Sequence, residues 1–253
     1  MYQYLRNLGK QNQFLRVFYR DVYNHRGAVG ALKALNRHVL GRIRGQVWSF
    51  HQSREHLSIT TDDVDTVLDA IYHFPGYGPY WQLTPIQDRK SLQQLASEVS
   101  SVDPRGILEI GTSQGGTLFV WANCTDADPI VSVDLPNVLD MTKSRMFMHY
   151  REDDSVHLLH SNSHIEETVA QVTAIFDGDL EFLFIDGDHS YEGVKQDFED
   201  YAPLVEPGGM IAFDDIGKES TGVGEFWSEI RDEHDTEVLR DSEGEPDIGI
   251  VHV

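Results

Sequence analysis

From residue 106 onward, apolar side chains gather in short runs, separated by stretches in which they recur every three or four positions. Runs at 107–110, 130–133, 156–159, 182–185 and 210–213, with Glu109, Ser132 and His157 as their polar members, have the length and apolar content of strands. Between them, the spacing predicts helices over 115–123, 142–150, 165–176 and 191–204, and another around Leu92, Leu95, Ala96 and Val99. In the helix after residue 190, Val194, Phe198 and Tyr201 share one face. Strands alternating with helices predict an α/β fold with a doubly wound, mostly parallel sheet. Two last runs, 237–239 and 248–253, flank the turn-rich SEGEPD and predict a C-terminal antiparallel hairpin.

Upstream the pattern changes. Over 28–48, Val29, Leu32, Leu35, Val39, Leu40, Ile43 and Val47 keep helical spacing, while Lys33, Arg37, Arg42 and Arg44 fall outside the stripe. This reads as a basic amphipathic helix, with Gly30 and Gly41 as weak points. The segment 75–87, PGYGPYWQLTPIQ, is dense in Pro, Gly and aromatics and reads as an irregular connection able to wall a site. Its Gln87 is a candidate for closing over a ligand. The expected organisation is a basic helical N-terminal extension over 1–80 and a catalytic domain over 81–253.

Charge sharpens this division. Residues 1–60 carry a net +8 and residues 61–253 a net −30, for −22 overall. The acidic body would repel phosphates, which argues against nucleic acid as a partner; such a carboxylate shell also suits a high-salt, halophilic-type cytoplasm. The basic helix is expected to meet the acidic body, a second subunit in a homo-oligomer, or an anionic membrane surface. A single cysteine, Cys124, offers neither a disulfide framework nor a thiolate metal cluster, and no apolar run reaches membrane-spanning length. A cytoplasmic location is the expectation.

Candidate chemistry gathers where the strands end. Glu109, Gly111, Thr112, Ser113, Gly115 and Gly116 lie between the first strand and its helix, at the edge where open α/β sheets bind ligands. Glycine at 111 permits a tight turn, and those at 115 and 116 let a ligand approach free helix amides. The spacing is not the GxGxxG of dinucleotide enzymes, so a carboxylate suits the loop better than a pyrophosphate. Tight packing alone is the alternative. Asp134 ends the second strand, where an acid can accept hydrogen bonds from both ribose hydroxyls or cap a helix. Ser163, after the third strand, can meet a base edge or cap the following helix. The fourth strand runs into Asp186-Gly-Asp-His189, and the fifth into Asp214-Asp215. His189 is a candidate general base, an additional metal-site residue or a structural loop residue; Tyr191 is expected to start the next helix and pack. An EF-hand reading fails because Tyr191 stands where the loop needs glycine and Asp197 where it needs a bidentate Glu. His157 and His160 point to opposite faces of a strand, so they do not suggest zinc.

The motifs LEIGTSQGG, VSVD, FLFIDGDHSYEGV and PGGMIAFDD, in that order, resemble the class I S-adenosylmethionine-dependent methyltransferases, in the branch of small O-methyltransferases with DGDHSY-type motifs. The resemblance covers about residues 82–253. It implies a Rossmann-like, seven-stranded sheet with a reversed final hairpin. It also implies S-adenosyl-L-methionine as cofactor, with Glu109, Gly111 and Gly115 shaping its methionine end, Asp134 on ribose and Ser163 near adenine. In the metal-dependent members, an Asp ends the fourth strand and an Asp-Asn or Asp-Asp pair ends the fifth. Asp186, Asp214 and Asp215 match those positions and suit Mg²⁺ or another divalent cation. Asp215 stands where many relatives have Asn, and the pair without a metal remains an alternative. The implied activity is methylation of a hydroxyl on a small molecule or sugar. A metal-independent enzyme using His189, and a non-catalytic nucleoside-binding or interaction module, are the competing readings.

Overall fold

The computed structural model describes residues 63–73, 85–136 and 154–253. The basic helix expected over 28–48, the helix expected over 142–150 and most of the 75–87 connection lie outside the described residues.

Seven strands form one sheet: β1 (Gly106–Ile110), β2 (Ile130–Asp134), β3 (Val156–His160), β4 (Leu180–Ile185), β5 (Met210–Phe213), β6 (Asp235–Arg240) and β7 (Pro246–His252). Their order is β3-β2-β1-β4-β5-β7-β6. The first five are parallel, while β7 runs antiparallel to both β5 and β6. The doubly wound sheet with its reversed hairpin is therefore as expected. Burial explains the apolar runs: every residue of β1 and β5 is buried, Glu109 included, so neither strand has a solvent face to mark with polar alternation.

Helices cover both faces. In chain order they are α1 (Val64–Tyr72), α2 (Arg89–Val102), α3 (Gly116–Cys124), α4 (Glu166–Phe176), α5 (Tyr191–Tyr201) and α6 (Val223–Ile230), with a 3₁₀ turn over Ala202–Leu204. Local capping starts several of them. The Asp63 side chain accepts from the Thr66 amide, Asp88 from Lys90 and Ser190 from Gly193, each satisfying a first-turn N–H that has no helical partner. α3 is buried nearly all round, and its Trp121 meets Phe182 and Phe184 edge to face at 5.2 and 5.7 Å.

Two helices went unassigned in the sequence reading although their periodicity is regular. α1 buries Val67, Leu68 and Ile71, and α6 buries Val223, Phe226, Trp227 and Ile230. Both are short, at nine and eight residues. Isolated helices of that length are marginal in water, and tertiary packing stabilises them. α1 packs against α2 and α3, and its Tyr72 hydroxyl donates to the Gln87 carbonyl at 2.8 Å, holding the entry to α2 in place. Among the described residues no helix is long and apolar enough to cross a membrane.

Candidate active site

β1 lies where the strand order reverses, with β2 on one side and β4 on the other. At such a switch point the connections leave in opposite directions and open a crevice at the strand ends. A cavity of about 650 Å³ occupies this edge, walled by residues that follow β1, β2, β3, β4 and β5.

On one side, the β1–α3 loop turns sharply at Gly111, whose φ is +104°. A Cβ there would stand 2.1 Å from the Asp186 carbonyl oxygen, so two strand ends approach to a distance only glycine allows. Ser113 also adopts a positive φ and donates its amide to Asp134 Oδ2 at 2.7 Å. Gly111, Ser113 and Asp134 all face the cavity. Glu109, Thr112, Gly115 and Gly116 stand behind that wall. Glu109 is completely buried, accepting from Trp121 Nε1 at 3.1 Å and Ser132 Oγ at 2.5 Å, while Ser132 Oγ and Thr112 Oγ1 are 2.6 Å apart. Burial pushes its pKa up to about 7, against the opposing hydrogen bonds from Ser132, Thr117 and Trp121.

Beyond β3, Ser161, Asn162, Ser163 and His164 complete this half of the cavity. Ser163 does not cap α4: the cap position is Ile165, which makes no side-chain cap bond. Instead its carbonyl accepts from the Tyr201 hydroxyl at 2.7 Å. His164 Nε2 lies 3.1 Å from the buried Asp197 of α5, whose pKa burial raises to about 6.

The other half is a carboxylate cluster. Gln87 Nε2 donates to Asp186 Oδ2 at 2.8 Å and to Asp214 Oδ2 at 3.1 Å, bridging the ends of β4 and β5. His189 spans the cluster with both ring nitrogens, Nε2 at 3.3 Å from Asp186 Oδ1 and Nδ1 at 2.9 Å from Asp215 Oδ2. Lys218 pairs with the second oxygen of Asp215. An imidazole facing a carboxylate from each nitrogen is held as the cation, because only then are both nitrogens donors. These two hydrogen bonds raise the His189 pKa to about 10. Burial raises Asp186. Burial, together with the charges of Asp186 and Asp215, drives Asp214 well above the usual range. For Asp215, burial opposes the charge, but His189 and Lys218 outweigh it and keep the pKa low.

The residues expected from the sequence at the metal end, Asp186, His189, Asp214 and Asp215, are thus side by side. Gln87, expected to close over a ligand, lines the cavity and clamps two of the carboxylates. Lys218 was not anticipated, nor was Asp247 at the start of β7, which forms a close group with Asp214 and Asp215. The signal for Lys218 was its place three residues after the acid pair. Tyr191 opens α5 and packs edge-on against Phe226, as expected.

Residues 108–216 match the family model described as a methyltransferase domain. Two curated relatives, both uncharacterized, align with about half of the chain. One, from Sinorhizobium fredii, is 24% identical over 143 residues, covering 52% of this chain and 16% of its own length. The other, from Acanthamoeba polyphaga mimivirus, is 29% identical over 128 residues, covering 49% and 57%. The chain therefore spans less than two thirds of either relative. Among solved structures, a Staphylococcus aureus protein ascribed to the caffeoyl-CoA O-methyltransferases superposes with a TM-score of 0.54 at 18% identity, covering 83% of this chain and 99% of the other. An O-methyltransferase from Bacillus cereus, solved with S-adenosylhomocysteine, gives 0.51 at 17% identity over 78% and 93%. The MycE methyltransferase of mycinamycin biosynthesis, solved with Mg, S-adenosylhomocysteine and mycinamycin VI, gives 0.50 at 16% identity over 77% and 55%. At these identities the superpositions establish the fold. Over residues 108–216 the chain matches a methyltransferase-domain model, and its described sheet shares the fold of these solved methyltransferases.

Proposed function

We propose that the protein is an S-adenosylmethionine-dependent O-methyltransferase, assisted by Mg²⁺ or a similar cation, that methylates a hydroxyl of a small molecule or sugar. The observation that carries this reading is one cavity joining a nucleoside-type end, Gly111, Ser113 and Asp134, to the carboxylates of Asp186, Asp214 and Asp215. The neighbours support it: the Bacillus cereus structure holds S-adenosylhomocysteine and the MycE structure holds Mg. A sugar acceptor is supported by a TDP-rhamnose 3'-O-methyltransferase that superposes with a TM-score of 0.51 at 20% identity.

The residues present fit both groups. Asp134 is a carboxylate at the wall, placed to accept two hydroxyl hydrogen bonds, and the contact between Gly111 and Asp186 keeps the loop clear of side chains. Buried Asp214 Oδ1 has no hydrogen-bond partner, an arrangement costly for a carboxylate unless a cation completes it. All-oxygen donors suit a hard divalent ion, which Asp186, Asp214 and Asp215 would hold. When bound, S-adenosylmethionine supplies an electrophilic methyl group and a divalent cation makes an acceptor hydroxyl more acidic.

The chain's own residues do the rest. Gln87 holds Asp186 and Asp214 together against their repulsion. His189 is protonated while Asp186 and Asp215 are both ionised, so it serves as counter-ion in that state. Once those carboxylates are neutralised, His189 gives up its proton to solvent. The freed nitrogen would take the hydroxyl proton while the oxygen–methyl bond forms and the methyl–sulfur bond breaks, leaving S-adenosylhomocysteine. A metal-independent reaction, with His189 as sole base, would need the imidazole to give up its proton between two ionised carboxylates, which the bridging geometry opposes. Calorimetry with S-adenosylhomocysteine tests the cofactor site, and absence of binding would overturn the reading. Methyl transfer to hydroxylated acceptors, with and without chelator, separates the two mechanisms: turnover unaffected by chelator would leave His189 alone.

A further inference from the structure

The antiparallel reversal of β7 has a chemical consequence at the active edge. In a fully parallel sheet only strand ends reach that edge; here the start of β7 reaches it too. Phe213 pairs with Gly249, so two residues further along β5 and two back along β7 bring Asp215 opposite Asp247. The Ile216 amide donates to the Asp247 carbonyl at 3.1 Å, which extends the pairing past the strand ends. One carboxylate oxygen from each of Asp214, Asp215 and Asp247 then falls within 4.8 Å of the other two.

We propose that Asp247 belongs to the divalent-cation seat, so that this chain surrounds the ion with carboxylates from β7 as well as from the ends of β4 and β5. The inference rests on the proposed function and deepens it. Two observations beyond the clustering point to a ligand. Asp214 is only 5% exposed, and Gln87 engages its Oδ2 on the Asp186 side, leaving Oδ1 without a hydrogen-bond partner. The seat is also prepared on the Asp247 side: Ser91 of α2 donates to Asp247 Oδ2, fixing a half-buried carboxylate that would otherwise swing toward water. Lys218, ion-paired with Asp215, also lies near enough to interact with Asp214 and Asp247. With Asp186, four carboxylates meet two cations, His189 and Lys218, so the ionised edge is net negative and attracts a divalent ion. Asp186 flanks β5 from the opposite side, held by Gln87 and His189.

The test uses the full chain freed of metal, titrated with Mn²⁺ and Mg²⁺ by calorimetry, with S-adenosylhomocysteine binding measured in parallel. Asp247→Asn keeps an acceptor for Ser91 and removes one charge, so it is expected to fold and to melt higher than the parent without metal. Its Mn²⁺ affinity should fall on the order of tenfold or more, while S-adenosylhomocysteine binds as in the parent. Cation affinity unchanged in Asp247→Asn but lost in Asp186→Asn would remove Asp247 from the seat and leave the proposed function intact. A parent chain that binds S-adenosylhomocysteine but neither cation would overturn the seat itself and favour the metal-independent reaction. Absence of S-adenosylhomocysteine binding would instead strike at the methyltransferase reading.

Discussion

Glu109 is a carboxyl sealed in the core, and Glu109→Gln converts its burial into a measurable pH dependence. The folded-state pKa of about 7 stands above the ordinary 4.5. Below the lower value the carboxyl is protonated in both folded and unfolded chains and contributes no difference. Between the two values the folded chain binds the extra proton, so stability falls as pH rises, and the loss is complete above the folded pKa. At 1.36 kcal/mol per unit, the gap amounts to about 3 kcal/mol. Glutamine can keep the network: its oxygen accepts from Trp121, and its amide donates to Ser132 Oγ, which then donates to Thr112. Urea unfolding of both proteins from pH 4.5 to 8.5 isolates the effect, because the other titrating groups cancel in the difference. The variant should match the parent near pH 4.5 and exceed it by about 3 kcal/mol near pH 8. A difference that does not change with pH would refute the reasoning, since it would mean that Glu109 titrates alike in both states.

Three further outcomes are expected. In the metal-free protein, His189 should remain protonated well past pH 8 by ring-proton NMR; the stability it contributes is full below pH 6.5 and lost as pH rises toward 10. Saturating Mg²⁺ should lower that midpoint, and an ordinary midpoint near 6.5 in metal-free protein would contradict the bridge. Gly111→Ala forces a Cβ to within 2.1 Å of a carbonyl oxygen at φ +104°, and chemical denaturation should show roughly 2–5 kcal/mol of lost stability. Asp134→Asn should weaken S-adenosylhomocysteine binding by roughly tenfold to a hundredfold, the value of a charged hydrogen bond, while the melting temperature changes little; calorimetry would show it.

Most of the sheet was legible because its signals are local. A parallel strand buried on both faces is mostly apolar, so β1, β2, β4 and β5 announce themselves as runs, and a glycine or acid at the end of each run marks the carboxyl edge. Helices α1 and α6 were missed despite regular spacing, since nine or eight residues carry little weight until neighbouring elements are there to receive them. The site was legible in its acids and less so in its cations. Asp186, Asp214 and Asp215 are each tied to a strand end, whereas Lys218 gains meaning only from the carboxylate it meets.

Sequence by itself determined the alternation of strands and helices from β1 to β5 and the strand-end positions of Asp186, Asp214 and Asp215, because each depends on neighbours a few positions away. Tertiary structure alone decided that Glu109 faces the core while Asp134 faces the cavity, that Gln87 clamps two acids 99 and 127 residues downstream, and that His189 is held as a cation. It alone brought Asp247 to the edge of β5. These outcomes depend on register, strand direction and burial, and such properties exist only once distant segments have packed.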